Sequence, residues 1–162
     1  MKFQLFAIGL TAASTFGALS LAAPAQAVQE REFNSSRTPQ SIGRVSSVAV
    51  KVSGQITSNT DEDVFRFEIS PGQDVKAVLT VDGDIDLEVL QDSNQDGQLG
   101  GGDTKKISIR EGKFTEEVNF KNMKSKHGFI RIMDSGGAGV SRSVNYNLTV
   151  TAVPANGQPV IE

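Results

Sequence analysis

From Val48 onward the chain alternates apolar and polar residues in short runs. Val48, Val50 and Val52 alternate with Ala49, Lys51 and Ser53, and Phe65, Phe67 and Ile69 with Val64, Arg66 and Glu68. Val75, Ala77, Leu79 and Val81 follow the turn Ser70-Pro71-Gly72, and Ile85, Leu87 and Val89 come next. Ile107 and Ile109, Phe114, Val118 and Phe120, the run Phe129 to Met133, and finally Val144, Tyr146, Leu148 and Val150 complete the series. A period of two places alternate side chains on one face of a strand, so each run can bury one face and wet the other. Gly, Asn, Asp and Pro separate the runs, and these residues favour turns. The spacing predicts an all-β fold, an antiparallel, jelly-roll-like β-sandwich of about eight strands. Helical periodicity is absent apart from a turn expected near Thr38 to Ile42.

The pattern also divides the chain. Residues 41–153 form the expected sandwich. Residues 28–40 are polar and read as an N-terminal arm, and residues 154–162, with Pro154, Pro159 and Gly157, read as a flexible tail. Residues 1–27 have the layout of a signal peptide: Lys2, an apolar stretch from Leu5 to Leu21, and the small-residue cleavage site Ala25-Gln26-Ala27. A membrane anchor is the competing reading. Gly9, Thr11, Ser14, Thr15, Gly17 and Ser20 interrupt the apolar stretch and Pro24 ends it, which favours cleavage after Ala27. The expected location is secreted or periplasmic, with no membrane anchor after signal cleavage.

Composition narrows the possible chemistry. A chain of 162 residues suits one domain with a real core. The net charge is -3 and no basic block stands out, so nucleic acid is not an expected partner. There is no Cys, so neither disulfides nor a thiol nucleophile are available. The single His, His127, lies in the basic stretch Lys124-Ser125-Lys126-His127 and reads as a solvated turn residue. No G-x-S-x-G or H-E-x-x-H motif is present. The acidic pairs Asp61/Asp63, Asp84/Asp86 and Glu116/Glu117 leave glycoside hydrolysis formally open. A chain without Trp is poorly equipped to build the deep sugar cleft that such chemistry needs, so the expected protein is not an enzyme.

The stretch Asp92 to Asp103, DSNQDGQLGGGD, has the spacing of a calcium loop. Asp92, Asn94 and Asp96 fall at positions 1, 3 and 5, Gly97 at the sharp-turn position 6, the Gln98 carbonyl at 7, Leu99 at 8 and Asp103 at 12. Alternate hard oxygen ligands let a short loop wrap one cation. Asp103 replaces the usual Glu and is one methylene shorter, and Gly100-Gly101-Gly102 adds entropy to be lost on ordering. The same residues also make an ordinary polar turn.

The order of several motifs resembles the bacterial pre-peptidase C-terminal domain family. They are Gly54, Asp61-Glu62-Asp63-Val64-Phe65-Arg66-Phe67, Pro71-Gly72, Asp84-Ile85-Asp86-Leu87-Glu88-Val89, Asp92 to Gly97, and the closing segment from Gly128 to Ala152. The likeness runs from about Asn34 to Ala152, with Phe129 where the family commonly has Tyr. The resemblance implies a jelly-roll-like sandwich that is non-catalytic and accompanies secreted peptidases. It also implies a second calcium site: Glu30-x-Glu32-x-Asn34 is similar to the acidic lead-in that binds calcium in clostridial collagen-binding relatives, with Asp61 or Asp63 completing the set. Ser35 stands where those relatives have an acid, and a solvated polar arm is the alternative. The expected function is an exported binding or accessory domain with calcium as its cofactor. Its partner would be an extracytoplasmic protein or polysaccharide, a secreted peptidase among them; the alternative functions for the chain are an accessory or chaperone-like role for a separately encoded secreted peptidase, or a small hydrolase using its acidic pairs.

Overall fold

The computed structural model describes residues 24–32, 34–109, 115–134 and 143–155. The proposed signal peptide up to residue 23, Phe114 and most of the tail lie outside the described residues. Ten strands are present among the described residues: β1 (Gln26–Gln29), β2 (Gln40–Arg44), β3 (Val50–Ile56), β4 (Glu62–Glu68), β5 (Gln73–Val81), β6 (Asp86–Gln91), β7 (Thr104–Ser108), β8 (Glu116–Met123), β9 (His127–Met133) and β10 (Val144–Pro154). They form a sandwich of two five-stranded sheets, ordered β1-β3-β10-β5-β8 and β2-β4-β9-β6-β7.

The alternating runs become the central strands. Val50, Val52 and Ile56 of β3, Val75, Ala77 and Leu79 of β5, and Val144, Leu148 and Val150 of β10 are buried, facing Phe65, Phe67, Ile130 and Ile132 of the other sheet in one core. The interior pairings are antiparallel, for example Leu148 with Val52 and with Leu79. The two strands beyond the expected number are short edge strands. Both run parallel to their neighbours, β1 to β3 and β2 to β4. The turn expected near Thr38 to Ile42 is instead the start of β2, whose Ile42 is buried while Gly43 takes a positive φ of 78°.

The arm is held against the sandwich. The Gln40 side chain donates to the Gln29 carbonyl and accepts from the Arg31 amide, and Asn34 is 5% exposed.

The second sheet is also covered on part of its outer face. Val64, Leu90 and Phe129 form a separate small cluster there, and Leu99 from the long β6–β7 connection packs on it. Beside it the buried Glu88 is gripped by Arg131, at 2.6 and 2.9 Å, and by Lys105 at 3.3 Å. Burial of a charge in this way is tolerated because it is paired and hydrogen-bonded.

Candidate functional site

The Asp92 loop begins where β6 ends. Asp92 is 0% exposed, and its amide donates to the His127 carbonyl of β9 at 3.3 Å, continuing the β6–β9 pairing by one bond. The strand therefore drives a carboxylate under the loop. Asp92 Oδ2 accepts the Gly97 amide at 3.0 Å. Gly97 has φ of 72°, the left-handed turn that position 6 requires and that a Cβ would penalise. Asn94 Oδ1 accepts the Asp96 amide at 3.3 Å, Asp96 Oδ1 accepts the Gln98 amide at 2.8 Å, and Asp96 Oδ2 accepts from Asn94 Nδ2 at 2.8 Å. Asp103 closes the loop, with Oδ1 accepting the Ser93 amide and Oδ2 the Gly100 amide, at 3.2 and 3.0 Å. Short polar side chains thus fold the loop by satisfying its own amides.

One atom stands apart from this accounting. Asp92 Oδ1 is buried and has no hydrogen-bond partner, alone in this among the described buried side-chain atoms. An uncompensated buried carboxylate oxygen is costly, and native proteins seldom leave one. His127 does not supply the missing partner. Expected to be a solvated turn residue, it opens β9 half-buried, with Nδ1 4.0 Å from Asp92 Oδ2. The donor types are those a hard cation takes: carboxylate and amide oxygens at alternate positions, and a buried Asp92 oxygen with no donor from the protein. Among the described residues no three His, Cys, Asp or Glu side chains make a ready metal cage. A cation here would draw on amide and main-chain oxygens as well.

The arm candidates also meet. Asn34 Nδ2 donates to Glu30 Oε1 at 3.1 Å, while Asn34 Oδ1 accepts the Val64 amide at 2.6 Å. Asp61 Oδ2 accepts both the amide and the hydroxyl of Thr57, at 2.7 and 2.8 Å. Asp63, 2% exposed, accepts the Tyr146 hydroxyl at 2.6 Å, a bond that ties the two sheets together. Burial is the main cause that pushes the Asp63 carboxyl up to about 7; the Tyr146 bond opposes this, and the charges of Glu30, Asp61 and Glu32 add to it. Burial also raises Glu30, with Glu32 and Asp61 contributing. The Tyr146 hydroxyl is raised as well, first by burial and then by Asp63. Four carboxylates thus share one neighbourhood, two of them shifted toward their neutral forms.

Sequence reasoning missed Tyr146 as part of this group because 83 residues separate it from Asp63. Gly54 was the available signal. It pairs with Tyr146 across β3 and β10, and a Cβ there would collide with the Tyr146 hydroxyl.

No family model and no curated protein matches the chain. Solved structures similar to it include the pre-peptidase C-terminal domain of collagenase from Bacillus anthracis, at 9% identity and a TM-score of 0.45, covering 72% of this chain and 95% of that one. Another is PliG from Aeromonas hydrophila, a periplasmic lysozyme inhibitor of g-type lysozyme, at 14% identity and a TM-score of 0.46, covering 71% of this chain and 99% of that one.

Proposed function

We propose that this chain is an exported, non-catalytic accessory module of the pre-peptidase C-terminal kind, that calcium in the Asp92 loop sets its shape, and that it binds a protein surface outside the cytoplasm. The unpartnered, buried Asp92 Oδ1 is the observation that carries the calcium reading. Asp92, Asn94, Asp96, the Gln98 carbonyl and Asp103 would hold the ion. A bound divalent cation supplies charge neutralisation here and no reaction step.

Protein is favoured over polysaccharide by the aromatic side chains. Among the described residues Phe65, Phe67, Phe120, Phe129 and Tyr146 are all buried, so none offers a flat face for a sugar ring to stack on. A secreted peptidase encoded separately is one such protein.

The arm cluster supports a second cation reading. Glu30 and Asp63 are both shifted upward, in part by neighbouring carboxylates, and a cation among Glu30, Glu32, Asn34, Asp61 and Asp63 would relieve that repulsion.

Melting experiments test the proposal. At a Kd of about 0.1 mM and about 1 mM calcium, mass action contributes roughly 1.4 kcal/mol, or about 5 °C in Tm. EDTA should lower the Tm by that amount, and Asp96→Ala should make the protein indifferent to EDTA. Equal melting of wild type in calcium and EDTA would leave the loop as a turn. A response that survives Asp96→Ala would move the ion to the arm.

A further inference from the structure

The Asp92 loop also covers an apolar surface. Leu99 is half-buried against Val64, Leu90 and Phe129, on the face of the second sheet turned away from the main core. Immediately after it, Gly100 and Gly101 have nothing within 4 Å of where a Cβ would sit, so this part of the loop stands clear of the sheet. Leu99 is therefore the loop's apolar anchor between a polar head, Asp92 to Gln98, and a glycine segment without side chains to pack. The loop is held in place by Asp92 beneath it, by Asp103 across its base and by Leu99 on the cluster. Its head carries Asp92 and Asp96, two acids of the calcium reading, and Asp103 lies at its base.

We infer that the 92–103 loop is a calcium-controlled strap: the ion fixes the head, the fixed head seats Leu99, and release of the ion uncovers Val64, Leu90 and Phe129 and opens Gly100 to Gly102 to proteolysis. This rests on the calcium reading of the same loop. The two halves are coupled because the segment from Gly97, which Asp92 holds, to Leu99 is only two residues long, too short for the head to loosen while the anchor stays fixed. In a calcium-rich exterior the strap is closed. Withdrawal of calcium both exposes apolar surface and marks the loop for cleavage.

The chain has no Cys, so Leu99→Cys introduces a single thiol whose reactivity reports the seating of residue 99. The full exported protein carrying Leu99→Cys is titrated with calcium by calorimetry, then labelled with a thiol reagent in EDTA and in calcium at ten times the measured Kd. Labelling should slow about tenfold in calcium, because the closed state gains a factor of about 1 + [L]/Kd. Cleavage of unsubstituted protein between residues 97 and 103 by a broad-specificity protease, read by fragment mass, should slow in parallel and needs no substitution. Asp96→Ala should abolish both effects. Calorimetric binding with unchanged labelling and cleavage overturns the strap and leaves the calcium reading standing. Absence of calorimetric binding overturns both.

Discussion

Asp63 and Asp92 are both buried carboxylates of the second sheet's chain segments, one within β4 and one just past β6, and they are satisfied in opposite ways. Asp63 faces a hydroxyl donor, Tyr146, and three other acids, so the fold makes it easy to protonate. Asp92 has a backbone amide on one oxygen and no protein donor on the other. Glu88 shows the third solution, a pair of basic side chains. A buried negative charge can be neutralised by a proton, by a basic side chain or by a metal ion, and its neighbours indicate which. Asp63 points to a proton, or to a cation shared with the arm acids. Asp92, with an oxygen that no protein donor reaches, leaves a place for the cation proposed above.

The largest expected effect breaks the comparison on the Asp63 side. Its carboxyl lies at about 7 in the folded chain against an ordinary 3.8, so the folded state keeps a proton that the unfolded state releases. The contribution to stability is present below the unfolded value and is lost as pH rises through the folded one. In EDTA, denaturant melts should show stability falling between pH 4 and pH 7 by about 2–4 kcal/mol, with Glu30 adding in the same direction. Asp63→Asn should flatten that slope. A profile that rises across this window would show that Asp63 is charged and comfortable. Asp74, held below its ordinary value by Lys121 and the Asn122 amide, acts only at lower pH and in the opposite sense.

A smaller effect comes from the residue that makes room for Tyr146. Gly54→Ala places a methyl group against the Tyr146 hydroxyl, and the ring must shift off Asp63 to relieve the clash. Overpacking of this kind costs about 1–3 kcal/mol. Equal stability of Gly54→Ala and wild type in urea would mean that the Tyr146–Asp63 bridge can be given up without cost.

The smallest effect concerns the arm that supplies Glu30. Cleavage after Ala27, the proposed processing site, would remove Gln26 and Ala27 from β1 and keep the pairs Val28 with Val52 and Gln29 with Ser53. The intact mass of exported protein should begin at Val28, and its Tm should lie within a few degrees of that of a longer form starting at Pro24. A form retaining residues 1–27 after export would refute processing.

Much of the sandwich was legible because β3, β5 and β10 each bury one alternating face, and alternation survives translation into structure directly. β2 was not legible: Ile42 is its only buried residue, and its place is fixed by parallel pairing with β4 rather than by a pattern of its own. β6 hid its second face, since Glu88 and Leu90 are buried as well as Leu87 and Val89, one in ion pairs and the other beneath Leu99 of the loop above. His127 was misread because basic neighbours in sequence say nothing about the strand pairing that brings it to Asp92. At the site, spacing alone identified Asp92, Asn94, Asp96 and Gly97, since ligand order within one loop is local information. It could not separate a turn from an ion site. Nor could it show that an oxygen of Asp92 is buried without a protein donor, which depends on strands far away in sequence.

The central claim is that the Asp92 loop binds calcium, and isothermal calorimetry on the exported protein at pH 7.5 tests it most directly. Wild type should bind calcium with a Kd of about 0.1–1 mM. Asp92→Asn and Asp96→Ala should each weaken that step at least about tenfold, a loss of roughly 1.4 kcal/mol, while Asp63→Asn leaves it in place. An isotherm unchanged by Asp92→Asn and Asp96→Ala but abolished by Asp63→Asn would contradict the account and assign the ion to the arm.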